Sequence, residues 1–250
     1  MKRVTDSEGR FFDSVFGSDG RESVSGFYEL SRCSREYYGD YLLTNCPGKR
    51  VLECGCGTGS YALGLAGHAS EIVGIDVSEV GIKLAEEEAR KRGAGNVAFL
   101  RMDAEEMKFG DSCFDMVCGM GILHHLALDE VLAEMARVLK PDGKAVFLEP
   151  MGHNPFINLF RRLTPNLRTA DEHPLTVRDL ELVKGFFQQV DCRFFCLSSL
   201  LAVSFHNTRA LRQVVGVLDK MDTTLFELIP PLKAQAWQVV IILEKPDKRA

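Results

Sequence analysis

The chain has 250 residues, 46% of them hydrophobic and 26% charged, with a formal net charge of −5. That balance excludes a disordered chain and suits one large domain, or one domain with appended lid elements. The negative charge and the lack of any broad basic stripe argue against a nucleic-acid partner, and no apolar run reaches the roughly 18 residues of a membrane span.

In chain order, Met1 to Arg10 is polar and lacks the apolar stretch of a signal peptide, which makes the cytoplasm the expected compartment. Residues 1–20 read as a frayed leader rich in Gly, Ser and Asp. Arg21 to Asn45 reads as a helical segment carrying Phe27, Tyr28, Leu30, Tyr37, Tyr38, Tyr41 and Leu42, and Pro47-Gly48 ends it. Residues 1–47 are therefore expected to form an N-terminal helical cap. Short apolar runs then recur at Val51–Cys54, Ile72–Ile75, Val97–Leu100, Phe114–Cys118 and Ala145–Leu148. Helix-length stretches separate them at about 58–67, 79–92 and 128–139. The last of these carries Leu128, Val131, Leu132, Met135, Val138 and Leu139 on one stripe and is expected to stop at Lys140-Pro141-Asp142-Gly143.

Strand and helix in regular alternation predict an α/β, doubly wound, mostly parallel sheet with helices on both faces. After Glu149 the rhythm changes. Pro150, Pro155, Pro165 and Pro174 surround a short apolar patch, Phe156 to Leu163. Thr176-Val177-Arg178-Asp179 predicts a capping box opening a helix to about Phe187. A strand is expected near 191–198, and mostly helical residues follow, with Leu211, Val214, Val215, Leu218 and Met221 at helical spacing. A last strand is expected from Trp237 to Leu243. Residues 48–250 thus read as one domain, with substrate-lid insertions at about 150–175 and 199–236.

The strongest chemical signal is Glu53-Cys54-Gly55-Cys56-Gly57-Thr58-Gly59, directly after the first strand. Alternate glycines let the backbone turn tightly and approach a ligand closely. In open parallel sheets that ligand lies beyond the carboxyl ends of the strands. A dinucleotide fingerprint would be G-x-G-x-x-G, whereas here Ser60 holds the sixth position. Glu53 would repel a diphosphate but suits a cation, so the turn favours S-adenosylmethionine, with its ammonium and sulfonium, over NAD. Asp76 ends the second strand, 76 − 59 = 17 residues after the last motif glycine. Its carboxylate can accept from both ribose hydroxyls; its plainer role is to cap the following helix together with Ser78. Asp103, in Phe99-Leu100-Arg101-Met102-Asp103-Ala104, can accept from an adenine amino group.

These residues, with Phe114-Asp115-Met116-Val117-Cys118, Leu123-His124-His125 and Leu139-Lys140-Pro141-Asp142-Gly143, resemble the ordered motifs of class I S-adenosylmethionine-dependent methyltransferases, in particular the broad type 11 small-molecule branch. The resemblance covers roughly residues 48–150. It implies a seven-stranded Rossmann-like sheet whose final strand runs antiparallel, in the place of 237–243. It also implies Glu53 near the methionine amino group, Gly55 and Gly57 lining the methionine end, Asp76 at the ribose, and Asp103 with Ala104 at the adenine, with Cys56, Gly59 and Val77 as further cofactor-binding residues. Cys118 and Met120 would supply backbone contacts, and S-adenosylhomocysteine would be the product. Cys54 and Cys56, flanking Gly55, alter the lining without removing the acid or the glycines.

Methyl transfer from a sulfonium is an in-line displacement that needs alignment more than acid–base chemistry. A general base, if used, is expected among His124, His125 and His153, with packing or solvation as the plainer role of each. Adjacent His124 and His125 are expected to diverge, and no acid or cysteine cluster completes a metal site. Eight cysteines without a C-x-x-C pair read as reduced thiols; Cys192 and Cys196, taken on one strand face, would lie about 13 Å apart. Arg161, Arg162 and Arg168 form a small positive patch, either an anion grip or a solvated surface. The expected partner is a small-molecule methyl acceptor, hydrophobic or amphipathic, with oxygen, nitrogen and carbon atoms all open. A protein that binds the cofactor or its product without catalysis is the second reading, and an NAD-linked oxidoreductase the third. Oligomeric state is not indicated.

Overall fold

The five apolar runs between residues 51 and 148 become strands of one seven-stranded sheet in the computed structural model, which describes residues 9, 12–13, 29–164, 172–199, 201–202 and 210–248. In order along the chain come α1 (Arg32–Asn45), β1 (Arg50–Cys54), α2 (Ser60–Leu65), β2 (Glu71–Asp76), α3 (Glu79–Arg92), β3 (Val97–Arg101) and β4 (Phe114–Met120). Then follow a 3-10 turn (Leu123–His125), α4 (Leu128–Val138), β5 (Leu139–Pro150), α5 (Pro155–Leu163), α6 (Val177–Val183), β6 (Phe187–Phe195), α7 (Leu211–Leu228), a second 3-10 segment (Pro230–Gln235) and β7 (Gln238–Pro246). The strand order is β3-β2-β1-β4-β5-β7-β6. β1 to β5 pair in parallel, and β7 is antiparallel to both β5 and β6. The expected Rossmann-like sheet with an antiparallel last strand is present.

The strands are apolar almost throughout because both faces are covered. Val51, Met116, Val146 and Val240 point into a core shared with Tyr38 and Leu42 of α1, Ala62 of α2, Ile82 and Ala85 of α3, and Val215 of α7. Their neighbours Leu52, Val117, Ala145 and Val239 point to the other face, against Val131, Leu132 and Met135 of α4 and Leu180 of α6. From β1 the sheet grows outward through β2 on one side and β4 on the other. That reversal opens a crevice at the carboxyl ends of β1 and β4, where such sheets bind ligands.

Local chemistry sets several element ends. Ser78 accepts from Gly81 N at 3.0 Å and starts α3, which Gly93 terminates in a left-handed conformation; 79–92 is the span expected from the sequence. The Thr176–Asp179 capping box is formed in both directions. Its helix ends at Val183 rather than near Phe187, because Gly185 and Phe186 bond back to Leu182 and Val183 in a closing turn before β6. Lys140 to Gly143 does more than stop α4. β5 begins at Leu139, and its register against β4 jumps from Phe114↔Leu139 to Met116↔Lys144, so the tetrapeptide is an irregularity inside the strand pairing.

The N-terminal helix starts at Arg32, and Phe27 and Tyr28 lie outside the described residues, as do Pro165, Arg168 and residues 203–209. All eight cysteines are free thiols. The strand geometry expected for Cys192 and Cys196 does not hold, since β6 ends at Phe195 and Cys196 turns away at φ 64° to donate to Leu30 O. Among the described residues no helix is long and apolar enough to cross a membrane.

Candidate functional site

The turn after β1 is made by residues that only glycine suits. Gly55 has φ 67°, and a Cβ there would lie 2.8 Å from Ile122 Cδ1. The loop after β4 therefore rests directly on the turn after β1. Gly59, at φ 81°, hands the chain to α2. The flanking cysteines leave the turn clear, because Cys54 packs in one core and Cys56 in the other.

The acids at the strand ends hold this turn in shape. Glu53 is 4% exposed, and its Oε2 accepts from Ala62 N at 2.8 Å. Burial, opposed by that hydrogen bond and reinforced by the charge of Asp76, pushes its carboxyl up to about 8. Asp76 accepts from Gly57 N through Oδ2 and from Ser78 N through Oδ1, both at 2.8 Å. Burial raises its pKa against those two bonds. The loop-fixing role of Asp76 is thus real, and its carboxylate has acceptor capacity beyond these two bonds. Asp103 follows β3 and accepts from Glu105 N at 2.9 Å, with Ala104 buried beside it. Val77 presents its carbonyl to Arg101 Nε at 3.1 Å. Glu53, Asp76 and Asp103 thus stand at the ends of three adjacent strands on one edge of the sheet.

On the other side of β1, Cys118 pairs in register with Glu53, its thiol buried in the core. Met120 is partly exposed, and its Sδ accepts from Tyr61 Oη at 3.5 Å. The Leu123–His125 turn follows. His124 is buried, and its Nδ1 lies 2.7 Å from Glu149 Oε2. The expected divergence of the two histidines is not found: the short turn brings their rings to 4.1 Å between centroids. Among the described residues no group of three or more potential ligands is arranged to hold a metal ion.

His153 is exposed, and its Nε2 accepts from Val177 N at 3.3 Å, which ties it to the start of α6. Arg161 donates through Nη1 to Met151 O at 3.1 Å and to Asn158 Oδ1 at 2.9 Å. The described part of the N-terminal leader lies against the site. Asp13 Oδ1 accepts from Ser78 Oγ at 2.5 Å and from Val80 N at 3.1 Å, and Phe12 meets the ring of His125 edge-on at 5.5 Å.

Glu149 is the participant the sequence reading passed over. It is fully buried at the carboxyl end of β5, in series with the acids ending β1 and β2. The strand-end rule that selected Glu53 and Asp76 selects it as well.

Comparison with known proteins gives a consistent result. A family model described as a methyltransferase domain matches residues 51–143. A demethylmenaquinone methyltransferase of Geobacillus kaustophilus is 39% identical over 120 residues, 46% of this chain and 50% of that protein. An O-methyltransferase of Penicillium expansum is 33% identical over 155 residues, 61% of this chain and 55% of that protein. The chain thus spans about half the length of these curated relatives. Among solved structures, geranyl diphosphate C-methyltransferase from Streptomyces coelicolor, in complex with Mg2+, geranyl diphosphate and S-adenosyl-L-homocysteine, aligns over 98% of both chains. Its TM-score is 0.64 at 11% identity, a likeness of fold.

Proposed function

We propose that the protein binds S-adenosylmethionine and transfers its methyl group to a small molecule, a reading supported by the methyltransferase-domain model matched over residues 51–143 and by the Rossmann-like sheet. The carrying observation is Glu53, a carboxyl buried at the end of β1 that accepts from the backbone N–H of Ala62 and whose pKa is lifted to about 8. An ammonium group is the ligand chemistry that would let it ionise. The remaining residues fit the same occupant. Gly55, Cys56, Gly57 and Gly59 form the tight turn assigned to the methionine end, Asp76 and Val77 suit the ribose, and Asp103 with Ala104 suit the adenine. The strand end at Cys118 and Met120 closes the far side.

When bound, S-adenosylmethionine supplies an electrophilic methyl whose positive charge is neutralised on transfer. The chain's part is to align the acceptor in line and to exclude water. Residues 1–47, 150–175 and 199–236 are assigned to closing over the acceptor. Phe12 on His125 and Asp13 on Ser78 support this for the first of them. A hydrophobic or amphipathic acceptor is favoured by the outward Phe156, Leu159 and Leu163 of α5 and by the menaquinone precursor in the name of one relative.

Thermal denaturation with S-adenosylhomocysteine and with NAD tests the assignment. A melting temperature raised by the first ligand alone is expected, and a rise with NAD alone would overturn it. Turnover of labelled donor then separates an enzyme from a protein that only holds the cofactor.

A further inference from the structure

Two backbone donors and one imidazole nitrogen converge on the buried carboxyl of Glu149. Its Oε1 accepts from the backbone N–H groups of Ile122 and Leu123, both at 2.9 Å, and its Oε2 lies 2.7 Å from His124 Nδ1. Glu149 has no solvent exposure, and a buried carboxylate is held by donors that satisfy its charge. An ionised carboxylate only accepts, so the hydrogen in the third contact belongs to Nδ1. With Glu149 as the acceptor and the ring neutral, the ring proton sits on Nδ1 and Nε2 carries a lone pair.

We propose that Glu149 is a positioning residue that fixes this tautomer, and that His124 Nε2 takes the proton of a hydroxyl methyl acceptor; the inference rests on the methyl-transfer reading above. Placement supports it independently of charge. The loop that carries His124 sits on the glycine turn through Ile122, which places the histidine two residues from that contact. Two further contacts fix its backbone and ring: His173 N donates to its carbonyl oxygen at 2.7 Å, and His125 lies against its ring. Of the other two candidate bases, His125 is flanked by the rings of His124 and Phe12, and His153 Nε2 accepts from Val177 N. As the acceptor oxygen bonds to the methyl carbon, its proton passes to Nε2 and the electron pair of the C–S bond leaves with sulfur. The imidazolium formed is stabilised by Glu149 and returns its proton to water. The sum is methyl ether, thioether and one proton.

Glu149→Gln distinguishes orientation from bulk. The amide oxygen can still accept from Ile122 N and Leu123 N, which turns the NH2 group towards His124 Nδ1. Nδ1 must then accept, and the ring proton moves to Nε2, where it blocks the base. A substitution of this kind behind a catalytic histidine leaves geometry intact and removes turnover.

Long-range 1H–15N spectra of the full chain labelled at histidine read the tautomer without any acceptor. The expected result is an Nδ1–H ring at His124 in the wild type and an Nε2–H ring in Glu149→Gln, with His124→Asn assigning the signals. Calorimetry with S-adenosylhomocysteine is expected to give the same affinity for both proteins. Methyl transfer from labelled donor to a panel of phenols, catechols and quinols is expected to fall by about 100-fold or more in Glu149→Gln. A wild-type Nε2–H ring overturns the proposal even if the variant fails to fold, and so does an unchanged tautomer or turnover in the variant. Absence of S-adenosylhomocysteine binding in the wild type would overturn the proposed function instead, while the spectra would still report on Glu149.

Discussion

The Oε2 of Glu53 accepts from the backbone N–H of Ala62 across 2.8 Å, so the acid that ends β1 is bonded to the first helical turn beyond the glycine loop. This single bond is set against nearly complete burial, and the carboxyl rises to about 8 from the ordinary 4.5. In the unliganded protein the unfolded chain loses this proton near 4.5 and the folded chain keeps it until about 8. Stability from this group is therefore full below 4.5 and declines as pH rises through the window, by several kcal/mol at most.

An ammonium ligand reverses that balance by favouring the carboxylate. Binding of S-adenosylhomocysteine at pH 7 is expected to release close to one proton. Calorimetry in buffers of different ionisation enthalpy measures it. Glu53→Gln is expected to abolish the release, weaken binding and flatten the decline in unliganded stability between pH 5 and pH 8.

Asp76 has two tasks that substitution can separate. Asp76→Ala leaves Gly57 N and Ser78 N without their acceptor and removes any bond to ribose hydroxyls. It is expected to destabilise the fold by about 2–4 kcal/mol and weaken S-adenosylhomocysteine at least about 100-fold. Asp76→Asn keeps one acceptor oxygen, so it is expected to recover part of the stability and little of the affinity. Equal calorimetric affinity in wild type and Asp76→Ala would refute the ribose assignment.

Gly59→Ala tests how rigid the turn is. Its φ of 81° strains any side chain, and the added Cβ would lie 2.6 Å from Phe99 Cζ and 3.1 Å from Ala85 Cβ. Phe99 is buried and has little room to yield. A loss of about 1–3 kcal/mol is expected, a fall in melting temperature of roughly 5 °C.

Asp13→Ala addresses the leader. Asp13 binds Ser78 and Val80 at the start of α3, and the hydrogen bond from Ser78 is the main cause of its lowered pKa. Limited proteolysis is expected to cut residues 1–28 faster in the variant. Equal cleavage rates would show that this contact does not hold the segment.

Much of this was legible because it is periodic or local. The alternation of apolar runs gave the sheet, and Thr176 with Asp179 gave the start of α6, since a capping box is closed by residues three apart. Gly55 and Asp76 were legible because a turn and a strand end carry their own signatures. Glu149 was not. Its partners lie 25 to 27 residues away and meet it only after β4 and β5 have paired. The same holds for His153, whose ring is captured by a helix start that no local pattern links to it. The Lys140–Gly143 tetrapeptide was read as a helix stop because Pro and Gly end helices, while its place within the pairing of β4 and β5 is a tertiary fact.

The position of β7 orders the assembly of the molecule in time. β6 pairs with β7, and through β7 alone it reaches β5, although residues 238–246 are made some forty residues after β6 ends. During synthesis β5 must wait as an open edge and β6 as an unattached strand until the late segment inserts between them. Such long-range closure is slow and leaves apolar edges open to other chains. A nascent chain halted before residue 238 should therefore present the surface that chaperones hold, and completion of the sheet should release it.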